Sequence, residues 1–149
     1  MRWVPFAFAA ALCWGSYGPL LHEGQTALAN PFRALLCVGV AYFLVGVLFP
    51  LAVLAGQGAI GGLNPAGVRS GLLAGTLGAV GAVCIVWAFR SGGTPVYVMP
   101  LVYAGAPIIN VFVSMAMHPP KSRINPLLFV GILLASGGAS MVLYFKPVE

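Results

Sequence analysis

The chain has 149 residues, of which 60% are hydrophobic and 6% charged, and its mean hydropathy is +1.01. Soluble domains carry about 25% charged residues, so this composition excludes an ordinary water-soluble fold and leaves an integral membrane protein with no residues spare for a separate soluble lobe. The formal charge of +5 comes from seven Lys and Arg set against Glu23 and Glu149, scattered at the ends of apolar runs, which offers nucleic acid no basic cluster.

About twenty apolar residues in a helix cross the hydrocarbon of a bilayer, and the chain divides into five such runs. The reading is therefore an all-α polytopic membrane bundle of five transmembrane helices, a single domain over residues 1–149. The first span, 3–21, opens after Arg2 and closes at His22 and Glu23. With one preceding base and no A-x-A-like cleavage site at its end, it reads as a retained helix rather than a signal peptide. Pro5 falls in the first turn, where its missing donor is harmless, and Pro19 frees the Gly15 carbonyl. A polar connection, HEGQTALAN, leads to Pro31 and the second span, 32–55, with Tyr42 in its middle and Pro50 late. Residues 56–67 have the Gly, Asn and Pro composition of a turn. This stretch lacks the Lys and Ser or Thr of a phosphate-binding loop.

The third span, 70–89, lies between Arg69 and Arg90. Gly71, Gly75, Gly78 and Ala82 recur at spacings of four, three and four, the small-residue pattern that lets helix backbones approach closely in lipid. Residues 91–94 turn into the fourth span, 95–117, which carries Pro100 and Pro107 inside it. Each proline removes a backbone donor and displaces the carbonyl four residues earlier, so Val96 and Tyr103 lose their helical acceptor role. Such carbonyls need protein or cavity water rather than lipid. Pro100, Tyr103, Pro107, Asn110 and Ser114 share one helix face, the candidate lining of a pathway with Pro100 and Pro107 as its hinge or kink. His118, Pro119 and Pro120 end the span. The loop Lys121, Ser122, Arg123 leads to the fifth span, 126–145, with a second small-residue seam at Gly131, Ala135 and Gly138.

Five spans place the chain ends on opposite sides. One side then receives Arg2, Arg69, Lys121 and Arg123, the other Arg33, Arg90 and Lys146, four bases against three. A difference of one is a weak orienting signal, compatible with insertion both ways round or with a fixed topology set by the Lys121 and Arg123 loop. Dual insertion permits an antiparallel homodimer, the arrangement that transporters with inverted repeats build from two halves.

The runs LCWGSYGPLLHEG and WAFRSGGTPVYVMPLVYAGAPIINVFVS resemble the EamA domain of the drug/metabolite transporter superfamily, and the five-span layout is similar to that of its single-domain members. The resemblance implies a half-transporter. Two five-helix units, as a homodimer or paired with a second five-helix protein, would move a small polar metabolite across the inner (cell) membrane of a bacterium or archaeon. It also implies that Trp14, Gly15, Tyr17 and Pro107 border the central cavity. Many EamA units follow the fourth helix with a Gly-Glu pair, and here Met117, His118 and Pro119 stand in that place.

No span contains a carboxylate, so a cationic drug finds no counter-charge at mid-membrane. Embedded acids mark proton-coupled exporters of the small multidrug resistance type. A neutral or zwitterionic substrate fits better, met by Trp14, Tyr17, Tyr42, Tyr103 and Asn110, apolar walls with few polar handles. Each has a plainer role open to it: Asn110 can bond a neighbouring helix, and Trp14 and Tyr17 can simply pack. Trp3, Trp87 and Tyr97 sit near span ends, where aromatic belts anchor helices. His22 and Glu23, the one adjacent titratable pair, carry the chemistry of a proton-sensitive gate or of a solvated surface pair. Cys13, Cys37 and Cys84 lie in apolar runs as small hydrophobes. No metal site, cofactor or catalytic constellation is read, so the expectation is a transporter in contact with membrane lipid, and not an enzyme; the alternative is a non-transporting scaffold or accessory subunit.

Overall fold

The computed structural model describes residues 3–119 and 125–145. The described chain is 85% helical with no strand, in the order α1 (Val4–Ala27), α2 (Pro31–Phe43), a π-helical turn (Leu44–Leu48), α3 (Phe49–Gly56), α4 (Pro65–Arg90), α5 (Pro95–Met117) and α6 (Leu127–Tyr144). Four rods are long and apolar enough to cross a membrane: α1, the continuous stretch Pro31–Gly56, α4 and α5. The 18-residue α6 is shorter. Arg2, Lys121, Arg123 and Lys146, on which the charge balance across the membrane turns, lie outside the described residues.

Helix starts are written in a repeated chemical phrase. Asn30 accepts from the Phe32 amide at 2.9 Å and Asn64 from the Gly67 amide at 2.7 Å, each immediately before a proline in the first turn. Asn125, before Pro126, accepts from the Leu127 amide at 3.0 Å. The side-chain oxygen satisfies an otherwise unpartnered amide, and proline supplies the helical φ where its own missing donor costs nothing. This moves the start of the third rod from the expected residue 70 to Pro65, which takes Arg69 into the helix.

The expected connection after Leu21 is also shorter than its polarity indicated. Residues 22–27 continue α1, because nothing between Leu21 and Ala27 breaks a helix and the Thr26 hydroxyl bonds the His22 carbonyl at 3.0 Å. The helix stops where Leu28 and Ala29 donate back to Gly24 and Thr26, with Ala29 at φ 50°. A Cβ in that left-handed region costs about 1–2 kcal/mol. Ala29→Gly should therefore raise stability by about 1 kcal/mol, read as a shift in the denaturing SDS fraction; a neutral or negative shift would show the strain to be compensated.

Prolines act differently in different rods. Before Pro50 the chain widens into the π turn, with the Phe49 amide bonding the Leu44 carbonyl five residues back. Pro50 has no donor for Gly46 and crowds that carbonyl, and one wider turn relieves both problems. Pro19 in α1 and Pro100 and Pro107 in α5 lie inside continuous helices. Hydroxyls inside the rods are satisfied locally: Ser16, Thr76, Ser136 and Ser140 donate to the carbonyl four residues earlier at 2.8–3.0 Å. Such groups ask nothing of a neighbour or of lipid.

The chain forms two compact units, Met1–Gly92 and Gly93–Glu149. In the second, α5 packs along α6. In the first, α1, α2 and α4 meet at one end only. Its buried positions are Gly18, Leu21 and Gln25 late in α1, Ala34 early in α2, and Ala82, Val86 and Phe89 late in α4. Residues 4–16, 39–49 and 65–81 are exposed throughout. Large side chains such as Phe6, Phe43 and Leu77 stand in the open, an arrangement unstable in water and natural in lipid.

Candidate functional site

The junction of α1, α2 and α4 is assembled from residues that the helical period places on facing stripes. Gly18, Leu21, His22 and Gln25 follow spacings of three and four down one face of α1. Gly24 lets α2 come close, an added Cβ there lying 3.7 Å from the Ala34 Cβ. Phe89 closes the junction from α4, with its ring edge-on to His22 at 5.2 Å between centroids. Phe32 and Trp87 form a second T-shaped pair at 6.0 Å, and the Arg90 guanidinium lies over Trp87 at 4.9 Å. Arg33 donates to the Leu28 carbonyl at 3.2 Å. One end of this unit is thus apolar inside, with aromatic rings and two guanidinium groups at its margin.

Two polar atoms inside it are unsatisfied. The Gln25 side chain, 9% exposed, buries its Nε2 without a hydrogen-bond partner, and the Nδ1 of His22 is likewise buried and unpartnered. Each such atom costs about 1–3 kcal/mol relative to a satisfied one.

Between α1 and α2 runs a cleft of about 320 Å³, lined among others by Cys13, Tyr17, Leu21, Gly24, Ala34 and Cys37. Its lining is apolar in residue type apart from Tyr17, and includes neither Gln25 nor His22. A second, shallower groove of about 490 Å³ lies at the start of α4 around Leu63, Arg69 and Thr76.

The residues singled out in the sequence separate into groups. Tyr17 is half-buried and lines the α1–α2 cleft. Trp14 is 65% exposed and Tyr42 55% exposed, both on the open part of the unit. His22 turns inward to Phe89 while Glu23 is exposed, as neighbours one residue apart on a helix point in different directions. In the second unit Pro100 and Tyr103 are half-buried, and Pro107 and Asn110 are exposed. The glycine seam of α4 has no filling: a Cβ at Gly71, Gly75 or Gly78 would meet nothing within 4 Å, and the same holds for Gly131 and Gly138 in α6. Among the described residues no group of three metal-ligating side chains comes together.

Gln25, in a stretch expected to be a connection, and Phe89 are not singled out by the sequence, whereas Arg33, Trp87 and Arg90 are read there as span-end residues and not as one margin. The signal for Gln25 was present in the stripe Gly18, Leu21, Gln25, whose period carries the helix past the first polar residues. Comparison of the chain with protein-family models, with curated proteins and with solved structures finds no match.

Proposed function

We propose that this chain is one half of a membrane permease for a small neutral or zwitterionic metabolite. Its five spans pair with those of a second copy, parallel or antiparallel, to form a two-unit transporter that rocks between inward and outward openings in a cell membrane. The observation that carries the reading is the asymmetry of the first unit: its helices are closed at one end and uncovered along the rest. A pathway open at one end and sealed at the other is what one state of alternating access requires. Trp14 and Tyr42 stand on that uncovered part, and Tyr103, Pro107 and Asn110 supply a second polar stripe on α5. Among the described residues the one carboxylate in a span is Glu23, exposed near the end of α1, and the lack of one at mid-membrane, together with the resemblance to EamA units, supports a substrate without net positive charge.

The competing reading, a scaffold that holds another membrane protein, draws on the unfilled glycine seams, which suit helix packing of any kind. Hydration of α5 separates the two. With Cys13, Cys37 and Cys84 replaced by serine, single cysteines placed from Tyr97 to Ser114 are treated with a membrane-impermeant maleimide. The permease predicts rapid labelling at positions 103, 107, 110 and 114 and slow labelling at 109, 112 and 113. Uniform protection of the first set would leave α5 with a dry partner and overturn the reading.

A further inference from the structure

The margin where α2 begins and α4 ends carries two guanidinium groups for which the permease reading has no use. We infer that this margin binds the headgroup of an anionic phospholipid, with Arg33 and Arg90 meeting its phosphate. Binding there is independent of transport.

A contact between rings brings the two charges to one place. Phe32 and Trp87 meet edge to face at 6.0 Å between centroids. Arg33 follows Phe32 in the first turn of α2, and Arg90 stands one turn beyond Trp87 as the last residue of α4. Both arginines therefore lie at the ends of rods long enough to cross a membrane, Pro31–Gly56 and Pro65–Arg90, at the depth of the lipid phosphates. Trp87 beside them has the amphipathic ring that favours this boundary.

Both guanidinium groups are held in place with donors to spare. The Arg90 Cζ lies 4.9 Å from the centre of the Trp87 ring, a cation–π contact that fixes the charge without giving its N–H groups an oxygen acceptor. Arg33 donates from Nη1 to the Leu28 carbonyl at 3.2 Å, which uses one of the five N–H groups that a guanidinium carries. Among the described residues neither arginine meets a carboxylate. Ordering before the ligand arrives lowers the cost of binding it. Phosphate accepts two parallel bonds from a guanidinium fork, a geometry that an ammonium does not offer.

Charge selects an anionic lipid over a zwitterionic one. Against the two arginines this end has one described carboxylate, Glu23, exposed on α1. The partial positive charge at the start of α2 and the partial negative charge at the end of α4 offset one another. A choline or ethanolamine headgroup brings its own cation to a positive margin, whereas phosphatidylglycerol brings none. Basic margins between membrane helices hold anionic headgroups by this chemistry.

Trp87 can report the lipid beside it. With Trp3 and Trp14 replaced by phenylalanine, the full-length protein is placed in vesicles of phosphatidylglycerol and phosphatidylcholine, each brominated in turn near the carboxyl end of its acyl chains. Quenching of Trp87 then gives the relative affinity of the two lipids. One basic residue near the surface is worth roughly fivefold, so the expected preference for phosphatidylglycerol is roughly thirtyfold. Arg33→Gln and Arg90→Gln should each lower it by about fivefold or more. Arg69→Gln, about 32 Å away along α4, should leave it unchanged. Arg90→Lys keeps the charge and loses the fork, and should also lower the preference severalfold. A preference kept in full by Arg90→Lys would mean a diffuse field instead of a site and overturn the assignment, as would near-equal quenching by the two lipids. Inorganic phosphate in the aqueous phase should not relieve the quenching; relief would make a soluble anion the ligand and overturn the lipid. Should an arginine variant fail to fold, the lipid preference of the protein with both arginines intact still decides.

Discussion

Phe89→Ala should destabilise the protein by about 3 kcal/mol, the low end of the range for removing a buried phenyl ring. Phe6→Ala should change stability by less than about 0.5 kcal/mol, as a substitution away from packed features does. Both are phenylalanines in apolar rods of the same unit, and only their packing differs. Phe89 is 5% exposed and holds α4 against His22, whereas Phe6 is 77% exposed. In lipid an exposed phenylalanine trades one hydrocarbon neighbour for another, so its deletion removes little. Deleting Phe89 instead opens a void where three helices converge, the place where the unit's described residues have their buried side chains. Reversible unfolding by SDS in mixed micelles measures the difference. Equal effects for the two substitutions would mean that the junction is not what holds these helices together.

Gly75→Leu should leave the fold of the single chain intact and weaken its self-association. Within the chain a side chain at Gly75 meets open space, so the substitution adds no clash there. Gly71, Gly75 and Gly78 nonetheless form a seam of the kind that brings helix backbones together in lipid. If that seam faces a second copy, a leucine overpacks the contact at a cost of about 1–3 kcal/mol. This corresponds to a dimer weaker by about fivefold to about 150-fold. Dilution in bilayers of increasing lipid content gives the association constant. An unchanged constant would place the seam against lipid.

The rods were legible in the sequence because apolar run length is a direct consequence of bilayer thickness. The fourth span, 95–117, agrees with α5 residue for residue. Boundaries failed where polarity was taken as the end of a helix. HEGQTA is polar but contains no breaker, and backbone hydrogen bonding continues through it. Asn64 and Pro65 look like a turn and in fact start α4, because asparagine before proline is a cap as much as a turn signal.

The effect of a proline was less legible. Pro50 reorganises a turn into π geometry, while Pro100 and Pro107 do not end α5. The junction was hidden too. Val86 and Phe89 look like every other apolar residue of a span, and only the convergence of three helix ends makes them the core. Composition announces that residues are apolar; it does not say which of them touch protein and which touch lipid.

Pairing with a second copy is the central requirement of the proposed permease. The most direct test counts copies: a Gly61→Cys variant, otherwise free of cysteine, is labelled with one fluorophore in the exposed 57–64 loop, reconstituted at low density in lipid, and photobleached molecule by molecule. The prediction is a population dominated by two-step bleaching at high association. A population that bleaches in single steps at every density would show the chain working alone and contradict the proposal.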